Sequence, residues 1–251
     1  MMWYSVQRTL SESLGDLNPV AVVTGASRGL GNSLGHAFRE RGFTAVGAAR
    51  SKSPCAGSAL EHYSSLDVGD EQAVQSFADQ VVDRFGRIDV WVNNAAVVDI
   101  FGVADGSSER WSQLISVNVL GVVHGCQAFA RHVRSRPGPG VLVNLTAGSA
   151  KGARRGWGGY AATKAAVERI TEAVAAEEQP AGLTAFSFSP GAMDTDMQRS
   201  LCDLPSDVFP DVHLFRERAG RGEIPSPGSV AGKLVEQATE KLRADSGRVP
   251  L

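Results

Sequence analysis

The chain has 251 residues, 43% of them hydrophobic and 21% charged, and a net charge of -2. That length and apolar content suit one domain with one sizeable core. The near-neutral charge gives no general field for nucleic acid or an anionic membrane. Three cysteines, Cys55, Cys126 and Cys202, are an odd set with no CxxC spacing, which suggests neither a disulfide framework nor a zinc site and fits a reducing compartment. The five histidines show no metal spacing either, so no metal is expected. The opening "MMWYSVQRTLSESLGDLNP" lacks an apolar signal core, and no apolar run approaches the roughly 18 to 20 residues of a membrane span. The expectation is a cytoplasmic protein with residues 1–17 as an arm ahead of one domain, 18–251.

Along the chain, short apolar runs alternate with longer amphipathic stretches. "VAVVT" (20–24) precedes a helical stretch to about 41, "FTAVGAAR" (43–50) precedes one over 70–85, and "RIDVWVNN" (87–94) precedes one long helical segment over about 107–134. "GVLVNLT" (140–146), a helix over about 157–178, "GLTAFSFSP" (182–190) and a last helix over about 228–243 complete the rhythm. Strands this apolar, separated by helices, predict a parallel α/β sheet covered on both faces. Such sheets bind ligands at the carboxyl ends of their strands. Residues 191–227 break the rhythm with four prolines and no clear period, and read either as a substrate loop or lid or as a surface excursion with a short helix.

"TGASRGLG", Thr24 to Gly31, follows the first strand and opens the first helix. Gly25, Gly29 and Gly31 permit a tight turn, and the backbone around Ser27, Arg28 and Leu30 can approach a pyrophosphate at the helix N-terminus. The second strand ends in "AARS": Ala49 and Arg50 stand where an enzyme selecting a free ribose hydroxyl carries an acid. Arg28 and Arg50 together suit a 2′-phosphate, which favours NADP(H) over NAD(H).

In "GWGGYAATKAA" Tyr160 and Lys164 are four residues apart, one turn along the same helix face. Carbonyl reduction needs a hydride on carbon and a proton on oxygen. A tyrosine is a suitable acid when a neighbouring cation lowers its pKa from about 10 toward the working pH. Lys164 is expected to be that cation.

With "TGASRGLG", "NNAA" and "YAATK" in this order, the chain resembles the short-chain dehydrogenase/reductase family from about residue 19 onward. The resemblance implies a Rossmann-type, doubly wound, parallel seven-stranded sheet in a single domain. It implies Asp67 and Val68 beside the adenine, Asn94, Ala95 and Ala96 along the cofactor, and Asn118 as a fourth catalytic position. It also implies Pro190, Gly191, Met193 and Thr195 of "SPGAMDT" around the nicotinamide, Lys164 on the ribose, and a homodimer or homotetramer formed through 107–134 and 157–178. The substrate half is similar to the sepiapterin reductase and benzil reductase-like branch, although the C-terminus offers no carboxylate to anchor a pterin.

The family's substrate-binding serine lies thirteen positions before the tyrosine, and here that position is Ala147. Three possibilities remain: Ser149 substitutes from the following loop, Thr146 substitutes, or nothing does. Trp157 is a candidate for the substrate wall. The implied function is NADPH-dependent reduction of a ketone or diketone. The alternative is a protein of this fold that performs non-redox acid/base chemistry or only binds the nucleotide. His124 and His132 read as structural or interfacial, Arg154 and Arg155 as surface charges able to meet an acidic substrate, and Asp194 and Asp196 as helix caps.

Overall fold

The computed structural model describes residues 18–152 and 154–246; the predicted arm at 1–17 lies outside the described residues. Six strands, β1 (Val20–Thr24), β2 (Thr44–Ala49), β3 (His62–Ser65), β4 (Val90–Asn93), β5 (Gly140–Leu145) and β6 (Leu183–Phe188), form one parallel sheet in the order β3-β2-β1-β4-β5-β6. This is the doubly wound order, with a switch point between β1 and β4. Among the described residues the sheet has six strands, one fewer than expected; residues 247–251, after α8 (Pro227–Ser246), lie outside them.

Strand alternation explains the two-faced core. Ala21 and Val23 of β1, Val90 and Val92 of β4, and Val141, Val143 and Leu145 of β5 pack under α1 (Gly29–Glu40) and α8 through Leu34, Phe38, Leu234 and Val235. The alternate positions Val20, Val22, Trp91 and Leu142 pack under α2 (Glu71–Phe85), α4 (Gly121–Arg134) and α5 (Gly158–Glu178) through Phe77, Val81, Phe129 and Val167. Burial on both faces is why these strands read as continuous apolar runs. β3 was not foreseen. Its sequence, HYSS, is polar and only partly buried, because it is the sheet edge and its register on β2 is held by backbone pairing.

The segment expected as one helix over 107–134 is α3 (Ser108–Ile115), a π-helical turn over Ser116–Leu120, and α4. By length and composition Ser108–Arg134 is apolar enough to cross a membrane, with a mean hydropathy of 1.2 in its richest window. That corrects the reading that no stretch of the chain reaches such a length. Half of that window is buried within the protein, where Val122, Cys126, Phe129 and Val133 join the core. Residues 191–227 form two short helices, α6 (Asp196–Cys202) and α7 (Val212–Gly220), packed against each other.

Candidate active site

The carboxyl ends of the strands open onto a cavity of about 1070 Å³. Its walls gather Gly25, Ser27, Arg28, Gly29, Leu30 and Gly31 from the first turn, Arg50 after β2, Asp67 and Val68 after β3, and Asn94, Ala95 and Ala96 after β4. Thr146, Tyr160, Lys164, Pro190, Met193 and Thr195 line it as well. Gly191, Asn118, Ser149 and Trp157 are not part of the lining.

The first turn needs its glycines. Gly25 has φ 67, and a Cβ there would lie 2.8 Å from Ala95 Cα. At Gly31 a Cβ would collide with the Gly25 carbonyl oxygen and come within 2.7 Å of Asn94 Nδ2. The approach is locked from β4: Asn94 Nδ2 donates to the Thr24 carbonyl at 2.8 Å and the Gly25 carbonyl at 3.2 Å. The Thr24 hydroxyl accepts from the Asn94 and Ala95 amides at 3.1 Å. The Asn94 amide group therefore braces the turn. The resulting backbone cradle suits a pyrophosphate.

Arg50 is exposed on the cavity wall and has no acidic partner among the described residues, whereas Arg28 lies 3.5 Å from Asp196, both side chains being exposed. Asp67 accepts from the Gly69 amide at 2.9 Å, which shapes the turn after β3. Thr195 caps α6, accepting from the Gln198 amide at 3.3 Å. The cap is thus Thr195 and neither neighbouring aspartate; Asp194 and Asp196 both hold Arg199 instead.

Tyr160 and Lys164 lie on the buried face of α5 with Thr163 and Val167. Lys164 Nζ donates to the Leu145 carbonyl at 2.8 Å, fixing α5 over the end of β5. Burial pushes the Lys164 ammonium down to about 8 and the Tyr160 phenol up to about 12. The expected lowering of the phenol by Lys164 is therefore reversed in this geometry. Nζ lies 5.7 Å from the ring centre and is itself buried, and desolvation alone accounts for the upward shift of the phenol. The Tyr160 hydroxyl has no hydrogen-bond partner among the described residues.

Asn118, in the π-helical turn, is fully buried, and its side chain is committed to Val97: Oδ1 accepts from the amide and Nδ2 donates to the carbonyl, both at 2.8 Å. It also reaches Thr163 Oγ1 at 3.2 Å. Instead of touching the cavity, its side chain positions the loop after β4. The Thr146 hydroxyl points to α5, within 3.2 Å of Glu168 Oε1 and 3.4 Å of the Lys164 carbonyl, as strand parity requires, so it is removed from the substrate donors. Ala147 packs against the cluster that holds Tyr160, and Ser149 sits in the 3-10 turn Gly148–Lys151 with its Oγ buried and unpartnered.

Trp157 immediately precedes α5 and forms, with Ile100, Phe101, Leu114, Phe209 and Val212, an apolar shell around Tyr160. Sequence reading missed Phe209 because nothing in 191–227 marks which aromatics turn inward. Arg154 lies 4.0 Å from Asp211, and Arg155 is exposed. His124 Nδ1 bonds the Val68 carbonyl at 2.9 Å, and His132 Nε2 accepts from the Ile88 amide at 3.0 Å, giving both structural roles. The three cysteines are free.

A doubly wound parallel sheet with a glycine cradle at its switch point and a buried tyrosine–lysine pair at the same end defines a dinucleotide-binding domain equipped for acid/base chemistry. The short chain dehydrogenase family model matches residues 19–204, and the chain belongs to that family of nicotinamide-dependent oxidoreductases. It is 33% identical to 3beta-hydroxysteroid dehydrogenase 1 of Eggerthella lenta over 237 residues, covering 90% of this chain and 88% of that one. It is 29% identical to the benzil reductase ((S)-benzoin forming) of Bacillus subtilis over 231 residues, covering 88% and 95%. A short chain dehydrogenase from Burkholderia cenocepacia in complex with NADP superposes with a TM-score of 0.73 at 27% identity, covering 87% and 89%.

Proposed function

We propose that this protein reduces a ketone or diketone to an alcohol at the expense of NADPH. The observation that carries the reading is the Tyr160 hydroxyl, which burial raises to about 12, which has no hydrogen-bond partner among the described residues and which shares one cavity with Lys164 and the glycine cradle. The residues present fit the cofactor: the cradle suits the pyrophosphate, Lys164 the ribose, and Arg50 and Arg28, which line the same cavity, a 2′-phosphate. When bound, NADPH supplies the hydride.

The chain's own residues handle the proton. Tyr160, held neutral across the physiological range, donates to the carbonyl oxygen as charge develops there. Lys164, still cationic at pH 7, stabilises the phenolate that remains. Asn118 keeps the loop after β4 in place through Val97, and the apolar shell excludes water, which strengthens these interactions. The named relatives with reductase and dehydrogenase activity support the direction of this reading.

Ala147 and the committed Thr146 hydroxyl favour one alternative, a non-redox acid/base enzyme or nucleotide-binding protein. The test is NADPH absorbance decay on a panel of ketones and 1,2-diketones. Turnover is expected. Tight NADPH binding with no oxidation on any carbonyl would replace the reductase reading with the alternative.

A further inference from the structure

The two guanidiniums on the cavity wall start from different states. Arg50 has no acidic partner among the described residues, whereas Arg28 Nη1 already lies 3.5 Å from Asp196 Oδ2. Arg28 belongs to the turn between β1 and α1, and Asp196 opens α6, so this ion pair joins two elements that both line the cavity. The same two elements touch beside it, since a Cβ on Gly29 would stand 3.5 Å from Thr195 Cγ2.

Asp196 does not depend on Arg28 for its charge to be met. Its Oδ1 accepts from Arg199 Nη2 at 2.7 Å, and that hydrogen bond is the main reason the Asp196 carboxyl sits below the usual carboxylate range, Arg28 adding a smaller attraction. Arg28 can therefore turn away and leave Asp196 paired. The side chains of Arg28 and Asp196 are 75% and 56% exposed, so the exchange strands no charge out of water and the pair itself is weak. A phosphate monoester, close to a dianion with three acceptor oxygens, offers a guanidinium more than one shared carboxylate does.

We propose that Asp196 is a specificity-determining residue that competes with the nucleotide's 2′-phosphate for Arg28, and so sets how firmly a phosphorylated dinucleotide is held relative to an unphosphorylated one. The proposal rests on the NADPH reading and gives Asp196 a part in it. Arg50 is the uncontested anchor of the phosphate, and Arg28 is the contested one. Binding of NADPH trades one ion pair of Arg28 for another, and only the difference appears as affinity. A free ribose hydroxyl carries no charge to draw Arg28 away, so the carboxylate weakens the hold on NADPH and leaves NADH untouched. Discrimination between two ligands is a difference of affinities, and here a residue that faces the phosphate with its own negative charge lowers it.

The experiment is equilibrium binding of NADPH and of NADH, read by nucleotide fluorescence at one fixed ionic strength, on the full-length protein. Wild type is compared with Asp196→Asn, Asp194→Asn, Arg28→Ala and the double variant Arg28→Ala/Asp196→Asn, each checked by thermal unfolding. Asp196→Asn is expected to bind NADPH about two- to fivefold more tightly, the range open to an exposed ion pair, with NADH affinity unchanged. Asp194→Asn removes the same charge from the start of the same segment, where Asp194 pairs with Arg199 and not with Arg28, and should bind both nucleotides as wild type does. In the Arg28→Ala background the Asp196 substitution should have no effect, which separates competition for Arg28 from a general field. Unchanged NADPH affinity in Asp196→Asn, an equal gain on both nucleotides, an equal gain in Asp194→Asn, or a gain that survives in the double variant would each overturn the proposal. A wild-type preference for NADPH that Asp196→Asn leaves unaltered removes the role of Asp196 alone. If neither wild type nor Asp196→Asn binds NADPH more tightly than NADH, the NADPH reading falls as well.

Discussion

The two ends of the sheet bury polar groups in opposite ways. At the amino ends, fully buried Asp89 accepts from the Val20 amide at 2.8 Å and from Arg87 through both carboxylate oxygens, with Arg136 Nη2 at 3.4 Å. Arg136 also donates to the Ile88 and Pro139 carbonyls at 2.7 and 2.9 Å and, through Nε, to His132 Nε2 at 3.0 Å. At the carboxyl ends, Trp157 Nε1 and Ser149 Oγ are buried with no hydrogen-bond partner among the described residues, the Tyr160 hydroxyl has none among them either, and the buried ammonium of Lys164 donates to one carbonyl. A satisfied network holds the fold together, whereas the Tyr160 hydroxyl, on the cavity lining without a partner among the described residues, is open to a ligand. The same cost of desolvation serves stability at one end and reactivity at the other.

Substitutions that separate the two ends sharpen this contrast. The largest expected effect is at the amino end. Asp89→Ala removes the carboxylate shared by Arg87, Arg136 and the Val20 amide and should destabilise by about 3–5 kcal/mol, measured by urea unfolding, with activity per folded molecule retained. At the carboxyl end, Arg50→Glu should leave the melting temperature unchanged. It should shift the NADPH-to-NADH preference toward NADH by roughly 10- to 100-fold, measured as the ratio of the two kcat/KM values. Smaller and graded effects come from pH. His132 is pushed down to about 4, chiefly by burial and then by Arg136, so the folded state binds fewer protons than the unfolded state between about 4 and 6.5. Its contribution to stability is therefore present above pH 6.5 and lost as pH falls toward 4, an acid limb that His132→Gln should flatten in pH-dependent unfolding. Lys164 sets the other limit. Because its folded pKa is about 8, the reduction rate should decline above pH 8 as the ammonium is lost, although stability gains over 8 to 10.5 as the unfolded chain retains the proton.

Much of this was legible in the sequence because it follows from local pattern. Doubly buried strands must be apolar, and β1, β2, β4 and β5 were found that way; β6, partly buried, was found by the same apolar run. A turn that brings Gly31 against the Gly25 carbonyl can only be glycine, whereas the choice among Ser149, Thr146 and no replacement was left open until the Thr146 hydroxyl was seen turned to α5. What was not legible depends on neighbours distant in sequence. β3 is polar because it is an edge. Asn118 is consumed by Val97, twenty-one residues away, across a π-helical turn that periodicity does not register. The four-residue spacing placed Tyr160 and Lys164 on one face but contained no measure of burial, so the direction of the phenol shift was misread. The inward turn of Phe209 and the missing acceptor at Trp157 belong to the packed shell alone.

The measurement that bears most directly on the carboxyl end is steady-state NADPH oxidation with a 1,2-diketone by wild type and Tyr160→Phe, alongside NADPH affinity and thermal unfolding of both. The expected result is a loss of about 10²- to 10⁴-fold in kcat, with NADPH affinity and melting temperature unchanged, since the deleted hydroxyl has no partner to leave behind. Retention of wild-type turnover by Tyr160→Phe would contradict the proposed role of this phenol as the proton donor.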